Sequence, residues 1–140
     1  MRSRDELIRD TEPFPDSIIE QLPPRGDNYV TWTHYAQRLL LYYGGFSWEP
    51  GDPIFANNLW TVTGVLTLAD ERYGAVGEDD APAAAESNAF KRACAKAGIG
   101  LHLYESFWLH DRLKKKVHDE RPFENVEAEA PVEAQLEGTE

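Results

Sequence analysis

Three cations, Lys91, Arg92 and Lys96, stand in a stretch that is otherwise small and apolar: Glu86-Ser87-Asn88-Ala89-Phe90-Lys91-Arg92-Ala93-Cys94-Ala95-Lys96-Ala97-Gly98-Ile99-Gly100. Lysine and arginine so concentrated do one kind of chemistry well. They neutralise phosphate oxygens and release the counterions around a polyanion. Arg92 and Lys96 are four residues apart, so on a helix they share a face and reach phosphates together. Lys114-Lys115-Lys116 is the densest positive run in the chain and offers an auxiliary contact to the same polyanion. Its plainer reading is a soluble helix end favoured by the macrodipole. The acids Glu78, Asp79 and Asp80, with Glu86 near, suggest a competing chemistry: hard oxygen ligands of a metal-dependent nuclease. A solvated turn capping the next helix is the simpler account of them and the one preferred.

The cations sit in a chain whose formal net charge is −11, with 14 Lys and Arg against 25 Asp and Glu. Residues 117–140 carry eight of the acids and one Arg, which leaves a net of −4 on residues 1–116. The tail therefore accounts for most of the imbalance, as a solubilising extension, and the body is only mildly acidic. A length of 140 residues, 41% hydrophobic residues, and four Trp, six Tyr and six Phe bound the chain to one folded domain with a real core. No apolar run approaches the roughly 18 residues that span a bilayer. The start Met-Arg-Ser-Arg-Asp-Glu has no apolar stretch behind it, so no signal peptide is expected. Cys94 has no disulfide partner and no metal-ligand spacing, and beside a run of alanines it reads as buried packing. A cytoplasmic setting away from membranes is the expectation. GxxxxGK[ST], the loop that nucleotide-driven chemistry of the P-loop kind needs, is absent, and no cofactor is expected.

The elements that must position these residues follow from local pattern. Residues 1–12 are charged and unpatterned and read as a flexible or partner-dependent arm. Pro13-Phe14-Pro15-Asp16 leads to a short helix through Ile18, Ile19 and Leu22, stopped by Pro23-Pro24. Residues 29–43 read as an amphipathic helix ending at Gly44-Gly45. Phe46-Ser47-Trp48 starts a strand that residues 49–53 interrupt. Residues 57–68 alternate, with Trp60, Val62, Gly64, Leu66 and Leu68 on one face, then a turn at Asp70-Glu71 leads into a partner strand over 72–77. A helix follows Pro82, with Ala85, Ala89, Ala93 and Ala97 as a flat stripe and Gly98 as its left-handed cap. Another apolar segment runs from Leu101 to Leu109, and residues 118–140 read as an acidic disordered tail. The fold class is α+β: an antiparallel β-meander, a β-β-β-α core, with the central helix packed on the sheet.

The joint pattern of residues 29–104 resembles the single-strand annealing proteins of the Rad-fifty-two superfamily, in their short phage and bacterial form. The small-residue helix with Phe90-Lys91-Arg92-Ala93 and then Gly98-Ile99-Gly100-Leu101-His102-Leu103-Tyr104 carries most of the likeness. Tyr43-Gly44-Gly45-Phe46-Ser47-Trp48, the hairpin from Gly64 to Gly77, and Pro13-Phe14-Pro15 add to it. The resemblance implies an annealing domain over residues 13–117 that forms oligomeric rings or filaments and holds single-stranded DNA by its backbone. Complementary strands would then pair in recombination and repair without nucleotide hydrolysis, making the chain a non-enzyme. By position, Lys91 and Arg92 match the family's basic pair in the inner groove. His34 falls where a basic groove residue is usual, although a histidine is mostly neutral at pH 7. Ala95 replaces another basic residue, with Lys96 as a shifted substitute, and Arg72 sits at the hairpin where a second strand can bind. Implied partners are single-stranded DNA, other copies of the chain, and a host or phage recombination or single-strand-binding protein. A relative that assembles but no longer anneals is a further reading.

Overall fold

The computed structural model describes residues 1–22, 27–104, 111, 113 and 114. Its elements are α1 (Arg4–Asp10), β1 (Glu20–Leu22), β2 (Asp27–Tyr29), α2 (Trp32–Tyr43), β3 (Ser47–Pro50), β4 (Ile54–Ala56), β5 (Leu59–Leu68), β6 (Glu71–Asp79) and α3 (Pro82–Lys96), with single 3-10 turns at Asp16–Ile18 and Leu101–Leu103.

The main sheet is antiparallel throughout, and its spine is β5. β6 pairs with β5 from Trp60↔Asp79 to Leu68↔Glu71 and so takes one whole edge of it. β3 and β4 therefore share the other edge, β3 on residues 64–67 and β4 on residues 59–61. They form one strand broken at Gly51-Asp52-Pro53, where Gly51 N–H still donates to the Thr63 carbonyl at 2.6 Å. The result is the anticipated meander. Alternation along β5 puts Val62, Gly64, Leu66 and Leu68 on the buried face. Both hairpins turn on residue pairs with positive φ, Asn57 with Asn58 and Ala69 with Asp70. That mirror-image turn matches the right-handed twist of the strands. The β5–β6 turn thus falls one residue before the expected Asp70-Glu71.

α3 lies across β5 and β6 on the buried face. Its stripe of Ala85, Ala89 and Ala93, each fully buried, lets the helix approach closely. The closest approach is at Gly77, where an added Cβ would overlap the Ala85 carbonyl and the Ala89 nitrogen. α2 packs its Tyr35 and Leu39 against the far end of α3, and Phe14, Val30, Leu66, Phe90, Cys94 and Ile99 complete the core. Cys94 is fully buried, in line with its packing role. α3 ends as expected: Gly98 takes φ +99 and Ile99 N–H donates back to the Cys94 carbonyl.

Residues 1–12 correct the expectation of a flexible arm. They form α1, opened by a capping box in which Ser3 Oγ accepts from Glu6 N–H and Glu6 accepts from Ser3 N–H. At the helix end Asp10 is fully buried and accepts from Arg2 Nη1 at 2.9 Å, from Arg9 Nε at 3.1 Å and from the Tyr43 hydroxyl. Arg2 also donates to Tyr73 Oη at 2.9 Å, so the segment is tied to α2 and β6 together. The short helix expected over 17–22 is also different. Only one 3-10 turn forms, because Ile19 is extended and Glu20–Leu22 pairs with Asp27–Tyr29. That pairing delays the start of α2 from Tyr29 to Trp32.

Candidate nucleic-acid interface

α3 spreads its cations across two flanks. Lys91 turns toward the segment before α2. Its ammonium donates to the Val30 carbonyl at 3.3 Å and lies 5.6 Å from the Tyr29 ring centroid, a cation–π contact. Burial of this site pulls the Lys91 pKa below its ordinary value. Arg92 and Lys96 turn the other way, onto the outer edge of β6. Arg92 Nη1 donates to the Val76 carbonyl at 2.8 Å, and Lys96 Nζ to the Gly74 carbonyl at 2.6 Å. Residues i and i+4 of a helix thus meet i and i+2 of a strand, where both carbonyls face the same edge.

All three side chains rest on neutral carbonyls. Among the described residues the ion pairs are Arg2–Asp10 and Arg9–Asp10, and neither involves an α3 cation. Their charge is therefore not neutralised by a carboxylate among the described residues. The shared face expected for Arg92 and Lys96 is present; Lys91 stands apart from it, one helical step round.

The other expected residues are more scattered. Arg72 is exposed beside the β5–β6 turn, across from Thr67. His34 lines a groove with Phe14, Pro15, Ile18, Arg38 and Tyr42, and no α3 cation forms part of that groove. Arg38 in the same groove donates to the Glu12 backbone carbonyl at 2.6 Å and sits 4.2 Å above the Phe14 ring. Lys114 is exposed and borders a surface groove with Asp5, Arg9 and Glu12, a mixed-charge neighbourhood. Lys115, Lys116 and the tail over 118–140 lie outside the described residues.

The carboxylates proposed for a metal do not converge. Glu78 and Asp79 end β6, paired across to Thr61 and Trp60. Asp79 Oδ1 accepts from Asp80 N–H, and Asn88 Nδ2 donates to the Glu78 carbonyl at 2.9 Å. They join the strand to the helix that follows. Among the described residues no group of three or more His, Cys, Asp or Glu could hold a metal ion. No helix among the described residues is long and apolar enough to cross a membrane.

Sequence reasoning missed an aromatic cleft beside Lys91. Trp32, Phe46, Trp48 and Phe90 line it, with Glu86 and Ser87 at its rim. Trp32 and Trp48 stand edge-on to Phe90, at 6.4 and 5.3 Å between centroids. Trp48 lies over Gly64, whose missing side chain gives the indole its place, and Trp48 Nε1 donates to Glu86 Oε2 at 3.1 Å. The available signal was the spacing of aromatics either side of Gly44-Gly45.

No protein-family model matches the chain. The chloroplastic DNA repair RAD52-like protein 2 of Arabidopsis thaliana is 30% identical over 123 residues, covering 71% of this chain and 59% of that protein. The chain is a relative of RAD52-like proteins. The mitochondrial DNA repair RAD52-like protein 1 of the same plant is 50% identical over 42 residues, 30% of this chain and 21% of that protein. The chain thus spans about three-fifths of the length of the first relative. This homology supports the Rad-fifty-two superfamily reached from residues 29–104, at the level of the superfamily rather than its short phage or bacterial type.

Proposed function

We propose that this chain binds single-stranded DNA and anneals complementary strands in recombination and repair, as a non-enzymatic, nucleotide-independent oligomer of the short phage or bacterial type. The observation that carries the reading is the trio Lys91, Arg92 and Lys96: three cations on one helix, none neutralised by a carboxylate among the described residues. Such charges, a pair on the β6 flank and one on the α2 flank, suit a sugar–phosphate backbone, which needs charge and no base-specific geometry. One subunit offers few phosphate contacts. Repetition around a ring or filament multiplies them, which is why assembly belongs to the proposal. Arg72 and Lys114 extend the positive surface; His34 contributes from a separate groove. Similarity to DNA repair proteins supports the process. A host or phage recombination or single-strand-binding protein as partner, and a cytoplasmic location, complete the reading.

Mixing complementary oligonucleotides with the protein, without nucleotide or divalent metal, is expected to speed duplex formation. Lys91→Ala/Arg92→Ala should weaken single-strand binding and lower the slope of log affinity against log salt by about 1.4 per subunit, at about 0.7 per phosphate. A double variant that binds and anneals like the parent, with an unchanged salt slope, would remove these residues from the interface. A particle that stays monomeric with and without DNA would remove the ring or filament.

A further inference from the structure

We infer that the cleft between α2, β3 and α3 receives an unstacked nucleobase, while Lys91 beside it holds the adjoining phosphate. The inference rests on the reading that the chain holds single-stranded nucleic acid, and it names the aromatic residues that touch the bases. The cleft encloses about 200 Å³, below the roughly 300–1,000 Å³ typical of sites for drug-sized ligands. That volume suits one flat ring system. Trp32 at its mouth is half exposed, and four aromatic side chains offer apolar surface against which every base can stack, so the site is sequence-tolerant.

Charge complementarity selects the occupant. Ser87 lies at the rim and Lys91 is the next residue along the same helix face, four positions on. The Lys91 ammonium rests against the Val30 carbonyl, so it stands one residue from the lining residue Phe90 on α3 and two residues before the lining residue Trp32 at the entry to α2. The same rim carries an acceptor. Glu86 uses Oε2 to take the Trp48 indole N–H, and its Oε1 has no partner among the described residues. Each of the four bases presents an amino or imino N–H on its pairing edge that this oxygen can accept. A wholly apolar partner would bury Glu86 without using it, and an anion alone would leave the rings empty. A nucleotide uses both.

Thymidine 20-mers and abasic 20-mers of the same backbone separate the two contributions. The parent is expected to bind the thymidine strand more tightly and to show quenched tryptophan fluorescence with that strand alone. Trp32→Ala should lower thymidine-strand affinity about five-fold to a hundred-fold and leave abasic-strand affinity unchanged. Ser87→Leu, which fills the rim without touching the core, should do the same, and both should melt like the parent. Lys91→Ala should weaken both strands equally. A parent that binds both strands equally, or variants that keep the thymidine preference, overturn the cleft and leave the backbone interface standing. A shift in particle size caused by Trp32→Ala without DNA would assign the cleft to a second copy and overturn it as well. Binding of neither strand by the parent overturns this inference and the proposed function together.

Discussion

Replacing Gly77 with alanine adds one methyl group where the backbone of α3 lies directly against β6. A Cβ built there overlaps the Ala85 carbonyl and the Ala89 nitrogen and comes within 2.9 Å of Ala89 Cα. All three are backbone atoms, so no rotamer change relieves the clash. Ordinary carbon–carbon contact needs about 3.5–4.0 Å, and α3 must lift by on the order of 1 Å along its buried stripe. Overpacking of this kind costs about 1–3 kcal/mol where neighbours can yield. With backbone on the far side the upper figure applies, about 3 kcal/mol, or a fall of about 10 °C in melting temperature for a chain of this size. Gly74 provides the control on the same strand. A Cβ there meets only the Gly64 carbonyl at 3.8 Å, an ordinary contact, on the exposed face. Gly74→Ala should be neutral or slightly stabilising, since it removes unfolded-chain entropy. Thermal unfolding followed by circular dichroism reads both. Equal melting of Gly77→Ala and parent, or an equal loss in Gly74→Ala, would refute the close approach of α3 to β6.

Ala69 sits at φ +52 in the β5–β6 turn, where a left-handed backbone costs an L-residue about 1 kcal/mol. Ala69→Gly should therefore raise stability by about 0.5–1 kcal/mol in a urea melt, and a loss instead would argue against that turn. Arg2→Met keeps apolar bulk but leaves the buried Asp10 with Arg9 as its remaining cation, so a loss of about 3 kcal/mol is expected. A variant as stable as the parent would mean that α1 does not dock. Burial, then its bond to Asp10, pushes the Tyr43 hydroxyl up to about 12. The folded value lies above the unfolded one near 10, so the stabilisation is full below pH 10 and lost as pH rises through 12. Stability measured at pH 8, 10, 11 and 12 should fall more steeply for the parent than for Tyr43→Phe; parallel curves would count against the bond.

Much of the fold was legible because it is locally written. Alternation over Leu59–Leu68, the alanine stripe and Gly98 each state one element, and together they yield the meander with its helix. β4 was hidden because Ile54-Phe55-Ala56 lies between a proline and a turn and is recognisable only once β5 is there to pair with it. α1 had a readable signal in Ser3…Glu6, yet its anchoring depends on Arg2, Asp10, Tyr43 and Tyr73 meeting in space, which no local pattern states. The candidate site divides in the same way. Helical spacing predicts that Arg92 and Lys96 share a face. That Lys91 turns away to Val30, and that an aromatic cleft opens beside it, depends on how the start of α2 is placed by the β1–β2 pair.

The bonds from Arg92 and Lys96 to the Val76 and Gly74 carbonyls have a consequence for how the sheet grows. Among the described residues β6 pairs with β5 alone, and an outer edge of this kind is an invitation to any passing strand. Here two of its acceptors are already occupied, and the occupants are long, charged and hydrated, so strand addition on that side must first displace both. The same nitrogens cannot give their best geometry to a phosphate and to the strand at once. Whatever anion draws them outward uncovers the edge, and whatever strand claims the edge turns them out toward the anion. Polyanion binding and sheet extension on this flank are thus linked, with each favouring the other by the same factor.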